Sequence, residues 1–433
     1  ESGITTRTEE IKVRWWFDET VDVRDTDYGP IISDLDMVKT DEKLSLRWVG
    51  HRPSDELTAW LQASRAQNWD EFRMAMRDYA LTPLNIVYAD KQGHIGLLTG
   101  TSLPKRPLER PDDIIQQPDG PNDWSKLLTP DDLPVIFDPP AGFIASANNP
   151  PAPADVPIGY FFAPSDRIDR LNTILQDRSA DPISVDDLSV LQTDTYSRRA
   201  HDLSRLMVQK IDAAIASGWT IPMGGEDVRA VLSRWDGKYE ADSQDALIAE
   251  AFLVSLFETY FDEEQTAIIT ALGRARESAR PQLVAASPES LIPAIETAFD
   301  AALEARDEFG TWGGMHRLRL GHPLARLPLV GGKFVYLDLP VGGSSQTVMK
   351  TAHSPTLEQH RTTFGSNARH VSDMADRDAN YFVLLGGQDG VINSDTSVDQ
   401  VPLWRSREFI RMPLTQRLVR QEFPRAMSLT PDR

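Results

Sequence analysis

Gly142-Phe-Ile-Ala-Ser-Ala-Asn148-Asn149-Pro150-Pro151, followed by Ala163-Pro-Ser-Asp-Arg167, decides the reading of this chain. The first part reads as a strand that delivers a side-chain amide, the second as a helix start that carries a fixed cation. A carboxamide NH2 donates hydrogen bonds without carrying a titrating charge. Nucleophilic attack on an amide puts negative charge on the carbonyl oxygen, and preorganised donors aimed at that oxygen supply much of the rate. Asn148 suits that donor role. It equally suits a turn cap before Pro150-Pro151, as Asn often does, and spacing alone favours the cap. Asn149 reads as its structural neighbour. Arg167 is always charged and can fix a nearby amide or amine by directed hydrogen bonds. The competing reading is a surface arginine in a helix's first turn, and Arg170, three residues on, reads that way.

The rest of the composition excludes more than it identifies. At 433 residues the chain can bury a large core and hold two or three domains. A net charge of −20 argues against nucleic acid or an anionic membrane as a main partner. With no cysteine there is no disulfide, no thiolate nucleophile and no cysteine-based metal site. No apolar run reaches membrane-spanning length, so no membrane span is expected. No signal peptide is visible at Glu1. The eight histidines are scattered, without metal or catalytic-triad spacing, and read as structural or exposed. There is no phosphate loop, no G-x-S-x-G elbow and no H-E-x-x-H.

Along the chain, strands come first. Ile11-Lys-Val-Arg-Trp15, Val21-Asp-Val-Arg24 and Leu44-Ser-Leu-Arg-Trp48 read as strands, with a turn at Gly29-Pro30. Ser54 is the expected cap of a helix through Leu57, Trp60 and Leu61, and Asn68 of a helix from Trp69 to Tyr79. Asn85–Ala89 and His94–Leu98 read as a hairpin. Residues 104–140, rich in Pro and Asp, read as a long ordered loop. From 164 to 309 the pattern is helical, with Leu247, Ala251, Val254, Phe257 and Phe261 as one apolar stripe. Pro288 and Pro293 fall near the start of a later helix, where proline is tolerated. From 310 to 433 strands return, clearest at Phe334–Asp338 and Tyr381–Leu385, with a terminal helix. The order fits an α/β domain, 1–163 and 310–433, interrupted by a helical insert.

The Asn148 segment closely resembles the oxyanion-hole segment of the penicillin acylases, which are N-terminal-nucleophile (Ntn) hydrolases. Asn68-Trp69-Asp-Glu-Phe72, Val87-Tyr88-Ala89-Asp90, His94-Ile95-Gly96, Trp235-Asp236-Gly237 with Ala241-Asp242-Ser243, and Gly386-Gly387-Gln388 resemble further landmarks in family order. Each is weak alone, and together they are specific. The resemblance covers nearly the whole chain. It implies an α+β fold, the αββα sandwich of antiparallel sheets between helical layers, made from a precursor that cleaves itself. It assigns Asn148 to the oxyanion hole and Arg167 to positioning Asn148 and the nucleophile's amine.

The family nucleophile is the first Ser of the β subunit, whose α-amine, titrating at about 8, serves as its own base. Nothing near residue 1 resembles it, so the nucleophile is expected outside this chain. Tyr28 stands where family members usually carry His. Trp60 and Leu84 match positions that line the acyl pocket, although Trp60 is equally well placed for ordinary core packing. The family often binds a structural calcium, most of whose ligands would fall in the absent early segment. The acidic run Asp22–Asp36 has no EF-hand spacing and reads as a solvated loop. No cofactor is implied for catalysis.

The resemblance therefore describes the larger part of a β subunit. The α subunit and the missing N-terminal part of the β subunit would be its partners. The expected activity is hydrolysis of a small-molecule linear amide to a carboxylic acid and an amine, in the periplasm or outside the cell. An acyl-homoserine-lactone acylase of the same superfamily is the enzymatic alternative. A binding or scaffold homologue that lost the serine is the other.

Overall fold

The computed structural model describes residues 3–106, 115, 123–152, 155–177, 182–262, 265, 275–391 and 394–428. The chain divides into two compact units. One is Glu1–Pro140 with Pro150–Tyr160, the other Ala141–Asn149 with Phe161–Arg433.

In the first unit, β1 (Thr5–Ile11) and β2 (Glu19–Thr26) form an antiparallel ribbon from Thr5↔Asp25 to Ile11↔Glu19, extended by β3 (Gly29–Pro30). Ile11 ends β1 instead of starting a strand, because the chain turns there, with Trp16 N–H donating to the Val13 carbonyl. Leu44–Trp48 contributes one bridge, Ile31↔Ser45, in place of a strand. The guanidinium of Arg47 lies over the Tyr28 ring.

Helix α1 (Glu56–Ala63) is capped by Asp55, not Ser54, since the Asp55 carboxylate accepts from Thr58 N–H. Helix α2 (Trp69–Met76) is capped by Asn68 as its sequence implies, and Glu71 reaches back to the Gln67 amide. The hairpin is real: β4 (Leu84–Ala89) pairs with β5 (Ile95–Gly100), and β8 (Val135–Phe137) adds to β5. Ala59, Trp69, Met76, Tyr79, Ile86 and Leu98 form the buried cluster beneath it. The expected loop at 104–140 contains strand β7 (Asp123–Leu128), which pairs with β6 (Leu103–Lys105). Residues 107–114 and 116–122 of that stretch lie outside the described residues.

The second unit is helical and then stranded. Among the described residues its helices before the strands are α3 (Asp166–Asp177), α4 (Val185–Leu191), α5 (Arg198–Ala216), α6 (Gly225–Arg234) and α7 (Gln244–Tyr260), followed by Ala275–Ala285, Pro288–Phe309 and the short Trp312–Met315. The apolar stripe expected on α7 is too narrow a description, because every residue from Ala246 to Leu256 is buried. A helix enclosed on all sides carries apolar residues all round. Glu250 is its one buried acid and accepts from the Tyr239 hydroxyl. Pro288 occupies the first turn of its helix, where no N–H is needed, and Ser287 caps it.

Beyond the helices, β9 (His316–Gly321) pairs with β10 (Val335–Pro340), and Ala368–Ser372 pairs with Asn380–Leu384. Leu318, Val341, Met349, Val383, Val401 and Trp404 fill the core beside these strands. Among the described residues no sheet exceeds three strands.

Three of the scattered histidines meet in this unit. The rings of His353 and His360 stack at 4.3 Å, and His316 lies 5.0 and 5.1 Å from them against Trp312. Among the described residues no group of three or more His, Asp or Glu side chains is arranged to hold a metal ion. Burial, then the neighbouring imidazoles, hold His316 well below the usual histidine range. Burial and His353 bring His360 down to about 4, against a weaker upward pull from Glu250.

The unfolded chain therefore takes up a proton at His360 near pH 6.5, while the folded chain refuses it until about 4. Stability is lost as pH falls through that window, by on the order of 3 kcal/mol from His360 alone. Denaturant melts between pH 7 and 4.5 are expected to show a steeper acid loss in the wild type than in His360→Gln. Parallel pH dependences in the two proteins would contradict this.

Candidate active site

The Asn148 segment and the start of α3 come together within the second unit. Among the described residues 143–147 belong to no strand, so the expected strand is an irregular segment outside any sheet. Its geometry is fixed from the sides instead. Asn149 takes the turn-capping role, its side-chain oxygen accepting from Ala147 N–H at 2.9 Å. The Asn148 carbonyl accepts from Ala163 N–H at 3.1 Å, which ties the segment to the approach of α3.

Asn148 itself has φ +65°. That left-handed conformation disfavours most side chains and is tolerated by Asn. The side chain is left exposed, and Arg167 determines how it turns. One guanidinium nitrogen, Nη2, donates to the Ala147 carbonyl and to Asn148 Oδ1, both at 2.9 Å. An Asn oxygen facing a guanidinium is the only orientation that makes a hydrogen bond, because Arg has no acceptor. Asn148 Nδ2 is thereby directed away from Arg167, with two donor hydrogens and no partner among the described residues. Such an amide can donate to an incoming oxygen atom.

Arg167 is itself partly buried. Burial lowers the pKa of its guanidinium, and its buried Nε has no partner among the described residues. The carboxylate beside it is committed elsewhere: Asp166, only 3% exposed, accepts from Arg199 Nε at 3.0 Å. Arg199 also donates to Ser165 Oγ, fastening the first turn of α3 to α5. Arg170 is no surface arginine. It forms a two-pronged ion pair with Asp194 at 2.7 and 3.1 Å and lies over the Tyr196 ring. These clamps set the angle at which Arg167 leaves the helix.

Trp60 and Leu84 belong to the first unit, whereas Asn148 and Arg167 belong to the second. Trp60 is 42% exposed and meets Tyr79 edge-on at 6.0 Å, and Leu84 is 37% exposed at the start of β4. The acidic run is less a loop than expected. Asp22 and Asp25 lie on β2, Asp22 accepts from Thr8, and Asp34 is paired with Arg24 and Lys43.

With this geometry in view, comparison with known proteins is specific. The sequence matches the Penicillin amidase family over residues 2–421. It is 28% identical over 439 residues to the penicillin acylase 2 proenzyme of Pseudomonas sp. (strain SE83), covering 94% of this chain and 54% of that protein. It is 26% identical over 458 residues to the acyl-homoserine lactone acylase QuiP of Pseudomonas putida, covering 93% of this chain and 52% of that one. The chain thus spans about half the length of these curated relatives. Among solved structures it resembles a thermostable penicillin G acylase from Alcaligenes faecalis, with TM-score 0.63 at 19% identity, over 99% of this chain and 82% of that one. That likeness shows the fold, the α+β sandwich of the Ntn hydrolases. The chain belongs to the penicillin amidase family.

Proposed function

We propose that this chain is the larger part of the β subunit of a penicillin-acylase-like amidohydrolase. Together with an α subunit and the N-terminal part of the β subunit, it hydrolyses a linear amide to a carboxylic acid and an amine. The observation that carries this reading is the Arg167–Asn148 hydrogen bond, which turns the Asn148 NH2 outward as a fixed donor. The relative from Pseudomonas sp. (strain SE83) is a proenzyme, which supports assembly from a processed precursor. The reading also places the enzyme in the periplasm or outside the cell.

In this mechanism the nucleophile comes from the accompanying segment, as an N-terminal serine whose α-amine accepts the hydroxyl proton. The serine oxygen bonds to the amide carbon. The carbonyl oxygen gains the negative charge and is met by Asn148 Nδ2, already oriented, so little reorganisation is needed as charge develops. The C–N bond then breaks, and the amine leaves with the proton carried by the α-amine. Water releases the acid from the acyl-enzyme. Arg167 positions both Asn148 and the serine's amine, and its charge favours the developing anion. Trp60 and Leu84 would line the acyl side of the pocket. The likeness to QuiP favours one second reading, in which the acyl group is that of an acyl-homoserine lactone.

Asn148→Ala in the complete enzyme is expected to lower kcat by about a hundredfold or more, the cost of one lost oxyanion donor, with its melting transition nearly unchanged. A folded variant with near-normal kcat would remove Asn148 from the reaction.

Arg167→Lys is expected to lower kcat at least roughly tenfold. Lysine keeps the charge but loses the planar group whose two Nη2 hydrogens reach the Ala147 carbonyl and Asn148 together. Full activity in Arg167→Lys would make that arginine structural.

An indole wall packs well on flat rings and shortens the space for a flexible chain. Compact or aromatic acyl groups should therefore be preferred, and Trp60→Ala should shift kcat/KM toward longer chains in a series from phenylacetyl through hexanoyl to dodecanoyl. A wild-type optimum at dodecanoyl would favour the lactone acylase. An unchanged profile in a stable Trp60→Ala variant would make Trp60 a packing residue.

A further inference from the structure

Residues 353–361 run from the end of the short strand Thr351–Ala352 to the strand His360–Arg361. Ser354, Pro355, Glu358 and Gln359 are exposed, and 353–359 belong to no helix or strand. An imidazole sits at each end of this segment. The His353 and His360 rings lie 5.3 and 5.5 Å from the fully buried indole of Trp312, and His316 stacks on the same indole at 4.9 Å. The other anchors are modest. Leu357 packs against Leu247, Ala251, Ala305 and Met315, and Gln359 Nε2 donates to the Gly314 carbonyl at 3.0 Å. His360 and Arg361 pair with β9 at two positions, His316 and Arg317.

Hydrogen bonds fix which ring nitrogens carry protons. The Thr351 hydroxyl gives its hydrogen to the Gly342 carbonyl at 2.9 Å, so His316 Nε2, 3.1 Å from that hydroxyl, must be the donor between them. His360 Nδ1 faces the Glu358 carbonyl at 3.2 Å and must donate too, because a carbonyl has no hydrogen. That leaves His316 Nδ1 and His360 Nε2 as the bare nitrogens, and both are buried with no partner among the described residues. A proton added to either becomes an N–H without an acceptor, carrying a charge into a packed group of rings. The charges facing the group do not relieve this. Glu250 on α7 pulls on His360, but already accepts from the Tyr239 hydroxyl. On β9, Arg317 is paired with Asp338, and Glu358 on the segment itself is exposed.

We propose that residues 353–361 form a proton-released strap, which in acid detaches from Trp312 and His316 while the helices beneath it stay folded. Once detached, the imidazoles reach water and accept protons that the fastened form refuses. The sign follows from His360, which protonates near 6.5 when free and at about 4 when fastened. The fastened form is favoured above that window and loses its advantage as pH falls through it. His360 alone can shift the opening equilibrium by up to roughly 300-fold. This device does not depend on which amide the enzyme cleaves.

The test is hydrogen exchange of the complete, processed enzyme, read by mass spectrometry from pH 7.5 to 4.5 with labelling times scaled for the intrinsic exchange rate. The strap's reporters are the amides of His353 and Thr362, which donate to Ser345 Oγ at 3.1 Å and to the Arg317 carbonyl at 2.8 Å. Peptides across 351–363 should open about fiftyfold more at pH 4.5 than at pH 7.5, while peptides within α7 keep their protection. His360→Gln should remove most of that rise. Strap exchange that is independent of pH, or that rises only together with α7, overturns the strap. An undiminished rise in folded His360→Gln overturns it as well. Should that variant fail to fold, the wild-type comparison of strap and α7 decides alone.

Discussion

The chemistry proposed for this molecule depends on one nitrogen. Arg167 Nη2 gives one hydrogen to the Ala147 carbonyl and the other to Asn148 Oδ1. The first bond holds the backbone leading to a residue in a left-handed conformation. The second chooses between the two faces of a carboxamide that could otherwise turn either way. A preorganised donor differs from an ordinary exposed Asn in that its direction is set before the substrate arrives. Here the direction is set by a charged group that cannot accept a hydrogen bond, so the amide has one good orientation.

That nitrogen is itself placed by electrostatics deeper in the second unit. Each turn of α3 near the site is fastened by an ion pair to a neighbouring element, Asp166 to Arg199 on α5 and Arg170 to Asp194 in the loop before it. Both pairs are largely buried and hydrogen-bonded, the condition under which such pairs fix geometry even where their net stabilisation is small. Asp194 extends the arrangement, its backbone carbonyl accepting from the Met349 amide. Rigid support of this kind positions side chains better than a mobile surface loop would.

Much of this was legible in the sequence, and the misses have physical causes. Local rules read correctly where local chemistry decides. Asn68 caps α2 because its side chain reaches Glu71 N–H, and the β4–β5 hairpin follows from two apolar runs around Asp90–Gly93. They failed where tertiary contacts decide. Helix α7 looked striped and is enclosed. Ser54 looked like a cap, but Asp55 lies one position closer to the Thr58 amide. Arg170 looked like a surface residue because its partner, Asp194, lies on another element, and no local pattern joins them. The three clustered histidines come from positions 316, 353 and 360, a spacing that means nothing until the strands fold. Asn148 and Arg167 were found through family resemblance, while the bond between them was not visible in residue order.

The dependence of Asn148 on Arg167 can be measured directly with a double-mutant cycle in the complete enzyme, comparing kcat of Asn148→Ala, Arg167→Met and the two combined. If Arg167 acts chiefly by holding the Asn148 amide, the double variant should be only slightly slower than Asn148→Ala alone, because the second change removes support for a donor already gone. If the two losses multiply in full, the residues act independently, and the hydrogen bond between them does not organise the site.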